Sequence, residues 1–101
     1  MKTGIELITE ERKRQVTEEG WSTDHDFVHH RNDELARAAV AYALPRRFRN
    51  LLKSGGRNIF PFGPEWWKPA QLPVTIKGRI RELVKAGALI AAEIDRLNRS
   101  L

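Results

Sequence analysis

Apolar residues follow a helical period in three stretches of this chain, and none in the section between the second and third. Ile5, Ile8, Arg12 and Val16 form one stripe, with the Arg12 stem as its weak member, and predict a helix over 5–19. Thr3 and Glu6 stand at capping-box spacing at its start, and Gly20 is placed to stop it. A polar, histidine-rich segment follows, GWSTDHDFVHHRND, anchored by Trp21 and Phe27; Thr23 and Asp26 repeat the capping spacing and suggest one helical turn. Asp33 is expected to cap a second helix over 34–44, whose buried face is Leu35, Ala38, Ala39 and Tyr42; Pro45 ends it. The third helix runs from Thr75 or Gly78 to Arg99. Its expected inner stripe is Ile80, Leu83, Val84, Gly87, Ile90, Ala91, Ile94 and Leu97. Glycine costs a helix interior about 1 kcal/mol relative to alanine, so Gly87 predicts close approach of another helix. Leu89 lies off that stripe, which suggests a second buried face and a homodimer or larger assembly built on this helix.

Residues 45–74 break the pattern. Phe48, Leu51 and Leu52 suit a short helix ending at Gly55-Gly56; beyond it, FPFGPEWWKPA (60–70) is proline-framed and reads as extended and irregular. Loops longer than about 12–15 residues are uncommon in compact domains and are usually functional or disordered. Neighbouring residues of an extended chain point opposite ways, so Trp66 and Trp67 are expected to face different sides, one plugging the core and one outward. The expected fold is all-α: a small bundle of three main helices with a long aromatic and proline-rich loop between the second and third, in one domain over 1–101.

Composition narrows the class. The 101 residues are 41% hydrophobic and 31% charged, a globular balance, and no run approaches a membrane span. No apolar stretch follows Lys2, so the first residues do not read as a signal peptide. Without cysteine there is no disulfide or thiolate metal site, and a cytoplasmic setting fits. A formal charge of +5 favours acidic partners such as nucleotides, nucleic acid or an acidic protein surface.

Charge also marks the candidate chemistry. Arg46, Arg47, Arg49, Lys53 and Arg57 fall within one short stretch containing no acid. Guanidinium groups pair with phosphates bidentately, and nearby rings can stack on bases, so Arg46, Arg47, Arg49, Arg57, Trp67 and Lys68 are candidate ligand contacts; a solvated basic loop is the plainer reading. His25, Asp26 and His29, with Glu34 and Glu11, offer imidazole and carboxylate to a divalent metal, although the same histidine-rich turn also reads as a hydrogen-bonded connection positioning the second helix. Glu10, Glu11, Glu18 and Glu19 add carboxylates suited to Mg²⁺ on the first helix, but interleaved Arg12, Lys13 and Arg14 are equally the look of a solvated, ion-paired helix.

The segments EERKRQ (10–15), EEGW (18–21), His25-Asp26 with His29, ELARAAVAYA (34–43), WWKP (66–69) and LVKAGALIAAEIDRL (83–97) together resemble a group of short helical proteins encoded by bacteriophages and prophages. More distantly the chain looks like MazG-like all-helical nucleotide pyrophosphohydrolases. In that comparison Glu34 stands for the first acid of the second motif half, while Arg14 and Arg37 occupy positions where the motif has acids. The resemblance implies a small accessory protein in a bacterial host cell. The expected activity is binding of a nucleotide or other phosphate-bearing ligand. The alternatives are metal-dependent nucleotide pyrophosphohydrolysis, and an interaction protein that inhibits a host factor or binds nucleic acid.

Overall fold

The computed structural model describes residues 1–18, 33–51 and 68–101, with the side chains of 49–51 excepted. The chain is all-α, and its described residues form three helices, α1 (Gly4–Glu18), α2 (Glu34–Ala43) and α3 (Ile76–Asn98), with a 3₁₀ turn at Arg46–Leu51. No strand occurs among the described residues.

Local chemistry explains where the helices begin. At α1 the capping box forms: the Thr3 backbone N–H donates to Glu6 Oε1 at 3.0 Å, and the Glu6 N–H donates to Thr3 Oγ1 at 3.2 Å. Thr75 caps α3, its hydroxyl accepting from the Gly78 N–H at 2.9 Å. Asp33 occupies the N-cap position of α2, but its side chain makes no capping hydrogen bond; its carboxylate lies instead 3.9 Å from Arg37 on the next turn. Leu44 is extended ahead of Pro45, as the proline ring requires, and this ends α2 one residue early.

The core lies between α2 and α3. Leu35, Ala38, Ala39, Ala41 and Tyr42 meet Ala86, Leu89 and Ala92. Alanine on both helices lets their axes come close, and the predicted inner face of α2 is buried as expected. At the end of α2 the Arg79 guanidinium donates to the carbonyls of Tyr42 (3.0 Å) and Ala43. A cation there satisfies orphan carbonyls at the negative end of the helix dipole.

The expected inner stripe of α3 is corrected. Of its members Val84 is buried as expected, but Ile80, Leu83, Ile90, Ile94 and Leu97 are 45–53% exposed, while Ala86, Ala88, Leu89 and Ala92 face inward. Both faces are apolar; the one that meets α2 is mostly alanine, with Leu89 as its one large side chain, which lets the two helix axes come close. Leu89 thus belongs to the intrachain core. The α1 stripe is shifted too. Ile5 is 80% exposed and Val16 exposed, whereas Glu11 and Gln15 are the buried residues, with Ile8 and Arg12 partly covered. Gly87 does mark a close approach, made by α1: a Cβ built there would lie 2.5 Å from Ile8 Cδ1 and 2.8 Å from Ile8 Cγ1.

In the predicted long loop, the 3₁₀ turn realises the short helix expected near Phe48, and 68–75 is irregular. The readings placed on 19–32 and 52–67, among them Gly20, the histidine-rich turn and the opposed Trp66 and Trp67, lie outside the described residues.

Candidate functional site

The end of the aromatic segment is stitched to the helix pair through its backbone. The Lys68 N–H donates to the Tyr42 hydroxyl at 2.9 Å, and the Lys68 carbonyl accepts from Lys85 Nζ at 3.0 Å. Two residues on, the Ala70 N–H donates to Glu82 Oε2 at 2.9 Å, and the Ala70 carbonyl accepts from Arg46 Nη2. Glu82 is 2% exposed and also takes Arg79 Nη1 at 3.0 Å and Arg46 Nη2 at 3.8 Å. Arg46, a predicted ligand contact, is therefore engaged in holding this segment. Arg47 is exposed and lies 4.8 Å from the Phe48 ring centroid, a cation–π contact at the surface. Lys68 is exposed, with both its backbone groups bonded. Arg49, Arg57 and Trp67 fall outside the described side chains.

Where α1 crosses α3 the chemistry is different. Glu11 is 3% exposed, and its two oxygens accept from Arg14 in a fork, Nε at 2.9 Å and Nη2 at 2.7 Å. Arg81 Nη2, from α3, lies 2.7 Å from Glu11 Oε1. Burial pushes the Glu11 carboxyl up, but hydrogen bonds and charge from Arg14 and Arg81 outweigh it and hold the group below its ordinary value. Beside this cluster α1 and α3 enclose a cleft of about 330 Å³. Leu7, Ile80 and Val84 form its apolar wall; Glu10, Glu11, Arg14, Lys77 and Arg81 supply its polar groups. Glu10 is paired with Lys2 at 2.5 Å.

The cations on the α3 side form a ladder. Lys77, Arg81 and Lys85 stand four residues apart on one helix face. Like charges at this spacing destabilise a helix. Lys85 lies 5.3 Å from the Tyr42 ring centroid. Burial lowers its pKa below the usual lysine value, and the charge of Arg81 lowers it further, against an opposing contribution from Glu11. Hydrophobic patterning did not single out this ladder or Arg14. The signal was there: three cations at steps of four, on a helix whose neighbour carries Glu11.

The carboxylates proposed for a metal are placed less favourably. Glu11 already balances two guanidinium groups, and Glu34 sits partly buried in the first turn of α2. His25, Asp26 and His29 lie outside the described residues. Among the described residues no three His, Cys, Asp or Glu side chains converge as a metal site, and no helix is long and apolar enough to cross a membrane. Comparison of the chain with protein-family models, curated proteins and solved structures finds no match.

Proposed function

We propose that the protein is a small phage-type accessory protein that works by binding a nucleotide or other phosphate-bearing ligand, and that the α1–α3 cleft receives the phosphate. The observation that carries this reading is the set of three cations, Lys77 and Arg81 of α3 with Arg14 of α1, that line an open cleft whose buried carboxylate, Glu11, is already bonded to two arginines. Like charges one turn apart on a helix repel, and Glu11, shared between Arg14 and Arg81, offsets only part of the positive charge at the cleft. A phosphate offsets the rest and gains charge-assisted hydrogen bonds from guanidinium groups. The cleft volume is at the small end of ligand pockets, about 300–1,000 Å³, which suits a phosphate with part of a sugar. Lys68, the predicted ligand contact beside Lys85, would meet the rest of the molecule.

Titration calorimetry with inorganic phosphate and a panel of nucleoside mono-, di- and triphosphates tests this. At low salt the best ligand binds with measurable heat, and Lys77→Glu weakens it about tenfold, a change of about 1.4 kcal/mol. Lys77 is exposed at the rim, so the substitution leaves the fold intact. The reading fails if no member of the panel binds, or if Lys77→Glu binds as the wild type does.

A further inference from the structure

The groups lining the α1–α3 cleft are unequal in what they can still bond. Its aliphatic wall is Leu7, partly buried, with Val84, 7% exposed, and Ile80, 45% exposed. No ring, hydroxyl or amide side chain lines the cleft among the described residues. Its acceptors are two carboxylates already in use. Both Glu11 oxygens take arginines, and the exposed Glu10 has Oε1 held by Lys2 at 2.5 Å. What remains is donors. Among the described residues the Lys77 ammonium makes no ion pair or hydrogen bond, and Arg81 spends Nη2 on Glu11, leaving its other donors for a ligand. Arg14, Lys77 and Arg81 against Glu11 leave two positive charges, because Glu10 is balanced by Lys2. A phosphomonoester brings about −1.5 to −2 at pH 7 on three acceptor oxygens, which matches both the charge and the donors.

We propose that the cleft selects a soluble phosphomonoester whose phosphate is attached to an aliphatic group, the phosphate lying between Lys77 and Arg81 and the chain against Leu7, Ile80 and Val84. This deepens the phosphate reading of the cleft and rests on it. Lys77 and Arg81 stand one helical turn apart, about 6 Å along the axis, so a single phosphate reaches both. Volume alone admits part of a sugar, but the lining chemistry narrows the choice. Sugar hydroxyls are donors, and against this wall they would be covered without acceptors, which costs binding energy. A base finds no ring here to stack on, so a nucleotide would be held in the cleft by its phosphate alone. An aliphatic group asks for no partner and gains by leaving water.

Titration calorimetry with inorganic phosphate and its methyl, ethyl, propyl and butyl monoesters tests the selection. Affinity rises along the series by up to about fourfold for each methylene that the wall covers. Ribose 5-phosphate, which carries the same phosphate on a polar group, binds no tighter than methyl phosphate. Lys77→Glu weakens every member of the series, and Ile80→Ser flattens the rise from methyl to butyl. The wild-type series reads the selection even if a variant folds poorly. Equal affinity across the series, or ribose 5-phosphate binding more tightly than propyl phosphate, overturns the aliphatic ligand and leaves the phosphate reading standing. If no phosphate compound binds, soluble or in phosphatidic-acid vesicles, the phosphate reading itself fails. Sedimentation with those vesicles, in the absence of binding to any soluble ester, overturns the free ester and places the phosphate in a bilayer.

Discussion

Two buried glutamates in this small chain are each held by two arginines, and they are built for different ends. Glu82 and Glu11 each pair with an arginine three residues away on the same helix, Arg79 and Arg14, and with a second from elsewhere, Arg46 and Arg81. Glu82 is closed in by backbone: it accepts the Ala70 N–H, while Arg79 and Arg46 spend their other donors on the carbonyls of Tyr42, Ala43 and Ala70. It ties the end of α2, the segment at 68–70 and α3 into one unit. Glu11 is bridged to α3 by side chains alone. Of its arginines Arg81 is the most open of the four, 47% exposed against 28% and 35% for Arg79 and Arg46, and both Arg14 and Arg81 line a cleft. A buried carboxylate under arginines is thus not in itself a functional signature. What separates the two is whether backbone or open space completes the cluster.

The largest expected effect breaks the closed cluster. Glu82→Ala leaves Arg79 and Arg46 without their shared carboxylate and the Ala70 N–H without an acceptor. Removing one partner of a buried ion pair costs about 3–5 kcal/mol. For a domain of this size each kcal/mol moves the thermal midpoint by about 4–8 °C, so the variant should melt at least about 12 °C lower or lose its cooperative transition. A loss below about 1 kcal/mol would mean that the 68–70 segment and the end of α2 do not depend on Glu82.

Glu11→Gln should cost less, about 2 kcal/mol, because it removes charge-assisted hydrogen bonds at a cluster whose arginines can turn to water. It also gives a pH signature. The folded carboxyl titrates below its ordinary value near 4.5, so its contribution is complete above that value and is lost as pH falls through the lower, folded one. Thermal midpoints measured from pH 7 to pH 3 should fall less steeply for Glu11→Gln than for the wild type. The same substitution removes a negative charge beside Arg14 and Arg81 and should tighten phosphate binding, so stability and affinity move in opposite directions. Parallel pH curves, or weaker binding, would place Glu11 in the same structural role as Glu82.

The contrast between the clusters also shows what could be read from sequence. The capping box at Thr3 and Glu6 is local chemistry and formed as its spacing implied. The α2 face was legible because its one apolar side is also its buried side. On α3 two apolar faces competed, and periodicity cannot weigh side-chain volume against the shape of a partner; the Ile and Leu positions drew attention while the alanines made the contact. On α1 the buried residues are Glu11 and Gln15, so a hydrophobic stripe through Ile5 and Val16 indicated the wrong side. The cleft needs Arg14 and Arg81, 67 residues apart in the chain, to share one carboxylate. Gly87, an otherwise costly helix residue, announced the close approach of another helix there, though not that the helix would be α1.

The smallest expected effect tests that crossing. Gly87→Ala gains helix propensity worth about 1 kcal/mol, but the new methyl group would stand 2.5 Å from Ile8 Cδ1 and 2.8 Å from Ile8 Cγ1. The side-chain tip can swing away; Cγ1 moves only if Ile8 changes rotamer or α1 lifts. Overpacking of this kind costs about 1–3 kcal/mol, so the two contributions nearly cancel and the net loss should stay within about 1 kcal/mol. With Ile8→Ala in the background the clash is gone, and Gly87→Ala should become stabilising by nearly the full propensity gain. A double-mutant cycle by urea denaturation reads the difference as a coupling of about 1 kcal/mol. If the two substitutions simply add, Ile8 does not seat against Gly87. The α1 contact would then rest on its ion pairs alone, and high salt should release the helix that carries Glu11.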